Sequence, residues 1–433
     1  MLTTTINIYR LKIFIKFMMK FNPNNPIKIL RKISFPRLAG TRGEEKARKI
    51  LIDFIEKYGY HAREEKFNLK VFYMKKSFLE IVSPWHEEIG CSGVGFSGNT
   101  SEEGIYGEIN YIESGDPMLI SGKKKIFLMS IRPKFEIYKK IMKWDPLGII
   151  ISESSPIRKP SHLDIMPEWR KYGSAPMVHI SFKDAYKLVK RRAERAYLTL
   201  IQEERAVRAC NIVFEKEGYK YPDETIIVCG HYDSVYDVPG AIDNAGGIGL
   251  LIELARIFRK ERVKRNIRFI LFSGEELGLR GSQAYVKTHE KELEHIKIVV
   301  NLDIHGGLIG TNNAVITGSN QIKSYLEVYS KENGLNLNIS EDIYSSDGMP
   351  FANKNIPIVN FYRTSGANFG VHSIDDNTKY VGREAYRYFG PFIYSFIKMM
   401  ANSEEFPFPR EIPENMKKRV KEYFEKRLGI SPP

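Results

Sequence analysis

Cysteine is almost absent: Cys91, Cys210 and Cys229 are the only three in 433 residues. Their number is odd and none forms a C-x-x-C pair, which excludes both a disulfide framework and a cysteine zinc site and fits a reducing compartment. Long uncharged apolar runs are missing as well. In the first twenty residues Ile6, Tyr9, Ile13, Phe14 and Phe17 are interrupted by Arg10, Lys12, Lys16 and Lys20. That excludes a transmembrane span there, and no unbroken apolar core with a small-residue cleavage site marks a secretory signal. A basic amphipathic helix lying on a membrane is left open. The expectation is an N-terminal extension over 1–33 without catalytic importance, in a cytoplasmic protein. Internal repeats and low-complexity tracts are also lacking.

Positive charge is plentiful but unclustered. The formal charge is +14, yet the runs Lys123 to Lys125 and Lys190 to Arg195 flank amphipathic segments and carry no interleaved base-stacking aromatics. A solvated basic surface is expected, not a nucleic-acid interface. With 42% hydrophobic residues, the chain has ample material for a large core and the length of two or three domains.

The segment GEEKARKILIDFIEKY (Gly43 to Tyr58) places Ala47, Ile50, Leu51, Phe54 and Ile55 on one helical face. Lys66 to Val82 reads as strands, Lys125 to Met129, Leu147 to Ile151 and Pro176 to Ile180 as short apolar strands, and Lys134 to Lys143 and Ser181 to Arg192 as helices. Ala196 to Ile201 is expected to close this stretch, so 70–204 is expected to be an inserted domain with nothing catalytic in it. From Asn211 onward apolar strands alternate with amphipathic helices, as in a layered α/β sheet. The strands expected there are Thr225 to Cys229, Ile267 to Phe272, Ile296 to Asn301 and Ile356 to Tyr362, each apolar enough for burial on both faces. Pro407, Pro409 and Pro413 precede a charged helix, Glu414 to Arg427, so 403–433 reads as an appended arm.

Open α/β sheets bind ligands beyond the carboxyl ends of their strands. Metal-ligand residue types occupy those positions here: His231 and Asp233 after the first of these strands, Glu275 and Glu276 after the second, Asp303 after the third and His372 after the fourth. The loop VPGAIDNAGG (238–247) adds Asp243 ahead of Ala245, Gly246 and Gly247, small residues that let backbone approach closely. Each acid alone would read as a helix cap or salt-bridge partner. Converging on one rim, they read as a metal site.

HYDSV from 231, PGAIDNAGG from 239, SGEELGLRGS from 273, NLD from 301 and VHSIDD from 371 together resemble the motifs of the dizinc aminopeptidase family, in order and in spacing. The family also includes glutamate carboxypeptidase and glutaminyl cyclase. The resemblance implies a three-layer αβα sandwich with a mixed, mostly parallel central sheet, formed by 34–69 and 205–402. The insert, with KKIFLMS, GIIIS and APMVHIS, resembles a protease-associated domain and would be a smaller, β-rich α+β unit. By the same resemblance His231 and Asp303 would hold one Zn2+, Glu276 and His372 the other, and Asp243 would bridge them, followed by a cis peptide bond. Glu275 would be the general base for a water shared by the metals, and Asp233 would accept a hydrogen bond from His231. Ligands of this type also suit Co2+ or Mn2+. Two Zn2+ balance three ligand carboxylates and a hydroxide, so the buried cluster would be neutral.

The implied activity is removal of the N-terminal residue from peptides with a free amine. A metallocarboxypeptidase, with Arg363 as candidate grip on the terminal carboxylate, a one-zinc glutaminyl cyclase and a non-catalytic binding protein are the alternatives; the complete ligand set argues against the last. Tyr344 and Tyr362 are both candidates to hydrogen-bond the tetrahedral oxyanion. SSDGMPF from 345 carries Gly348 where the family has a larger residue, and His305 is expected to pack near the site. Side-chain preference, homo-oligomer formation and the insert's task, whether gating substrate size or self-association, are left open.

Overall fold

The computed structural model describes residues 20–365 and 370–433; the amphipathic stretch 1–19 and part of the glycine-containing loop ahead of His372 lie outside them. Among the described residues fourteen strands form one mixed sheet: β1 (Arg63–Ser83), β2 (Glu87–Glu88), β3 (Cys91–Gly93), β4 (Ile105–Tyr111), β5 (Ile126–Met129), β6 (Gly148–Ser152), β7 (Met177–Ile180), β8 (Arg195–Lys216), β9 (Tyr221–His231), β10 (Arg265–Phe272), β11 (Ile296–Leu302), β12 (Thr311–Thr317), β13 (Leu337–Glu341) and β14 (Ile358–Thr364). The order is β13-β12-β14-β11-β9-β10-β8-β4-β5-β6-β7-β3, with β1 and β2 off this path.

The four strands expected to carry the site are neighbours. In the order β14-β11-β9-β10 they run parallel, so their carboxyl ends share one rim. Their alternation builds three layers. Ile226 and Val228 of β9 enter the core beneath one set of helices, while Ile227 and Cys229 enter the core on the opposite face. The first core receives Arg42–Lys57 and Gly246–Phe258, the latter buried around nearly its whole circumference. Thr41 caps the former by accepting from the Glu44 amide, and Ala47, Leu51 and Ile55 form its buried stripe.

Three regions differ from expectation. Lys66 to Val82 and Ala196 to Ile201 belong to two continuous strands, β1 and β8, paired antiparallel from Arg63↔Val213 to Ser83↔Arg195. Positions 70 and 204, the expected limits of the insert, therefore fall inside one continuous ladder. In a strand with one solvated face the polar residues Glu203, Glu204 and Arg205 mark no break. Residues 24–33, placed in the N-terminal extension, form a helix that buries Ile29, Leu30 and Ile33 in the main core, with Asn22 and Asn25 bonded to Glu253. The C-terminal arm is likewise docked: Met416, Val420 and Phe424 enter the second core, and the Trp169 indole of the insert donates to the Leu428 carbonyl at 2.7 Å.

Candidate metal centre

His231 ends β9, Asp303 follows β11, and Glu275 and Glu276 lie on the turn after β10. Asp243 sits ahead of the helix beginning at Gly246, where close approach makes glycine obligatory. A Cβ on Gly246 would lie 1.9 Å from the His305 carbonyl, and one on Gly247 would lie 2.6 Å from the Leu302 carbonyl. The helix start is thus pressed against the end of β11, which brings Asp243 beside Asp303. The peptide between Asp243 and Asn244 is cis.

Asp243 lies between two histidines. Its Oδ1 is 3.1 Å from His231 Nε2, and its Oδ2 is 3.1 Å from His372 Nε2. Asp303 Oδ1 is 3.4 Å from His231 Nε2, and Glu276 Oε2 is 3.2 Å from His372 Nε2. Ligand-type atoms of His231, Asp243 and Asp303 lie within 4.8 Å of one another, as do those of Asp243, Glu276 and His372, and those of His231, Glu275 and Glu276. Glu276 Oε1 and Asp303 Oδ1 are buried and accept no hydrogen bond. Buried carboxylate oxygens left without a hydrogen bond in such a cluster fit a cation, and a nitrogen–oxygen donor set fits zinc.

Asp233 is buried with its carboxylate facing the β10 turn, where it accepts from the Glu275 and Glu276 amides, each at 3.3 Å. The Nδ1 of His231 is 3.3 Å from the Asp233 carbonyl and 3.6 Å from its carboxylate, so Nε2 faces Asp243 and Asp303. Burial opposes protonation of both histidines, but Glu275, Asp233, Asp243 and Asp303 around His231, and Glu276 and Asp243 around His372, raise both well above the usual imidazole range. Burial pushes Glu275 well above the usual carboxylate range, and its acidic neighbours Glu276, Asp347 and Asp303 add to this.

Further buried groups surround these residues. Arg37, fully buried, donates from Nε to the Tyr232 carbonyl at 2.5 Å, from Nη2 to the Gly240 carbonyl at 2.7 Å and from Nη1 to Pro239. Burial lowers its pKa to about 10, against the pull of Asp376, Asp233, Asp243 and Glu276, so it remains the buried counter-charge to these acids. Asp376 accepts from the Ile242 amide at 2.7 Å and the Asp243 amide at 3.1 Å, fixing the loop that carries Asp243. Asp347, from SSDGMPF, is fully buried behind the site and burial raises it to about 7. Beside it, a Cβ on Gly348 would meet Ile358 Cγ2 at 2.6 Å, so β14 fills the space that a larger residue would take.

The two candidate tyrosines separate. Burial, then the charges of Asp303, Asp243 and Glu275, raise Tyr344 well above its usual value; Tyr362 feels burial alone and stacks on Tyr344 with ring centroids 5.2 Å apart. Arg363 is consumed by its surroundings, donating to the Gly307 and Leu308 carbonyls and to Asn312 Oδ1 at 3.0, 3.1 and 2.9 Å. His305 packs as expected. It is buried against Phe389, its Nε2 is 2.9 Å from the Phe361 carbonyl, and burial lowers it to about 3.

Residues 211–397 match Peptidase family M28. Aminopeptidase YwaD of Bacillus subtilis (strain 168) is 26% identical over 412 residues, which is 90% of this chain and 86% of that protein. Carboxypeptidase Q of Bos taurus is 25% identical over 370 residues, covering 80% and 75% respectively. Among solved structures, BSAP, a zinc aminopeptidase from Bacillus subtilis, shares the fold with a TM-score of 0.73 at 23% identity, over 92% of this chain and 99% of that one.

Proposed function

From the match of residues 211–397 to Peptidase family M28, we propose that this protein is a zinc-dependent aminopeptidase that hydrolyses the first peptide bond of substrates with a free N-terminus. The observation that carries the reading is Asp243, whose two oxygens each lie 3.1 Å from a different histidine. Two metal positions would share it, one completed by His231 and Asp303, the other by Glu276 and His372. Bound zinc would supply Lewis acidity toward the scissile carbonyl and lower the pKa of water.

The protein groups divide the remaining work. Glu275, with its proton affinity raised by burial, takes the proton from the attacking water and delivers it to the leaving amine. Asp233 holds the turn that carries Glu275 and Glu276 through its two amide contacts. Tyr344 keeps its proton and donates a hydrogen bond to the developing oxyanion. The three cysteines are free, which supports a cytoplasmic location, and no helix among the described residues is long and apolar enough to cross a membrane.

The likeness to carboxypeptidase Q favours a carboxypeptidase as the second reading. Against it, each nitrogen of the Arg363 guanidinium already donates a hydrogen bond within the protein. Hydrolysis of paired aminoacyl and N-acetylated peptides by the zinc-loaded protein separates the two. Cleavage confined to free amines, lost on chelation and reduced about 10²–10⁴-fold in Glu275→Gln with zinc content unchanged, is expected. Cleavage of N-acetylated peptides from the carboxyl end would overturn the aminopeptidase reading.

A further inference from the structure

The inserted region was expected to carry nothing catalytic, yet its loop after β6 reaches the metal centre. Glu153, 4% exposed, roots this loop: Oε1 accepts from the Ser154 amide and hydroxyl at 2.8 and 3.0 Å, and Oε2 accepts from the Ser161 amide and hydroxyl at 3.2 and 2.9 Å. The Ser161 carbonyl lies 2.7 Å from Nδ1 of His179 on β7, which ties the loop to the insert's own sheet. Gly95 fixes the far end, its amide donating to the Leu163 carbonyl at 2.8 Å.

From this base the loop grips the backbone on both sides of His372. Arg158 Nη2 donates to the Val371 carbonyl at 2.8 Å while also donating to Ser161 Oγ at 3.0 Å. The amide of His162 donates to the His372 carbonyl at 2.8 Å. Lys159 Nζ is 3.1 Å from Asp375 Oδ1, a more exposed contact to the same segment. His372 has φ +63°, a left-handed conformation that a non-glycine residue keeps only when its surroundings impose it.

We propose that Arg158 is a positioning residue for the metal centre: through the Val371 carbonyl it holds His372 in the conformation that aims Nε2 at Asp243 and Glu276, so that the insert is part of the metal site. This rests on reading His372 as a metal ligand. Groups that orient a ligand, when removed, cost about 10–100-fold in metal affinity. The effect should fall on one of the two metal positions, since His231 stands at the end of β9 and its hydrogen-bond and ion-pair partners among the described residues are Asp233, Asp243 and Asp303.

The test is zinc affinity of the full-length protein, measured by competition with a chromogenic chelator, for wild type, Arg158→Ala, Arg158→Lys and His372→Ala. Expected are two zinc ions for wild type and one for His372→Ala. For Arg158→Ala the stronger affinity should be unchanged and the weaker one reduced about tenfold or more. Arg158→Lys should recover part of the loss, because an ammonium still reaches one carbonyl; it also serves as the readout if the alanine variant fails to fold. Two unchanged affinities in Arg158→Ala, or in Arg158→Lys where it stands in, would overturn this inference alone. A wild-type zinc content indifferent to His372→Ala would overturn the ligand reading and this inference with it.

Discussion

Removing the metal should cost the protein several degrees of thermal stability, by an amount the site allows to be worked out. An ion that binds only the folded chain stabilises it by RT ln(1 + [L]/Kd), about 2.7 kcal/mol at a hundredfold excess over Kd. Two positions then contribute roughly 5 kcal/mol. A chain of 433 residues unfolding with about 2.1 cal/mol/K per residue has an unfolding entropy near 0.9 kcal/mol/K, so the midpoint should fall by roughly 6 °C on chelation. Because Asp243 lies 3.1 Å from each histidine, Asp243→Asn should abolish most of this gain, while His231→Ala or His372→Ala should each leave about half. The gain must also shrink in acid. Both histidines hold protons well above their usual range in the metal-free site, and zinc has to displace those protons, so its affinity rises with pH and weakens as pH falls. Differential scanning fluorimetry with and without chelator, at pH 8 and pH 6, measures all of this. A shift below about 2 °C at pH 8, or a full shift retained by Asp243→Asn, would refute a shared-carboxylate metal centre.

Tyr344→Phe should lower kcat about 10²-fold with zinc affinity unchanged; steady-state kinetics showing kcat within about twofold of wild type would remove Tyr344 from the oxyanion role. Glu44 is 3% exposed beside the Tyr232 hydroxyl, and burial raises it from 4.5 to about 7. A raised acid contributes stability that is fully present below its unfolded pKa and is lost as pH rises through the folded one, here about 3 kcal/mol between roughly pH 4.5 and pH 7. Glu44→Gln should therefore match wild type in urea unfolding near pH 4.5 and exceed it by up to that amount at pH 8; a difference that does not vary with pH would refute the assignment.

The candidate ligand residues were legible because metal chemistry restricts residue type, and because most of them follow an apolar run long enough to be a buried strand. His231, Asp303 and the pair Glu275 and Glu276 all stand at β-strand ends, as such a reading requires. What escaped the sequence is non-local. Arg37 reads as an ordinary loop arginine, and only the fold brings its guanidinium under the Tyr232 and Gly240 carbonyls. Arg158 is separated from Val371 by 213 positions and has no motif around it. Asp376 lies within the quoted VHSIDD, but its role depends on the amides of Ile242 and Asp243. The continuity of β1 and β8 was hidden for another reason: a strand with one wet face carries the same polar residues as a linker.

That continuity has a mechanical consequence. At about 3.3 Å per residue, the 21-residue strand β1 is a beam roughly 70 Å long, and its ladder with β8 runs through both halves of the molecule. A swinging hinge between the halves would have to shear that ladder. The two parts that the ladder joins are therefore expected to move as one piece.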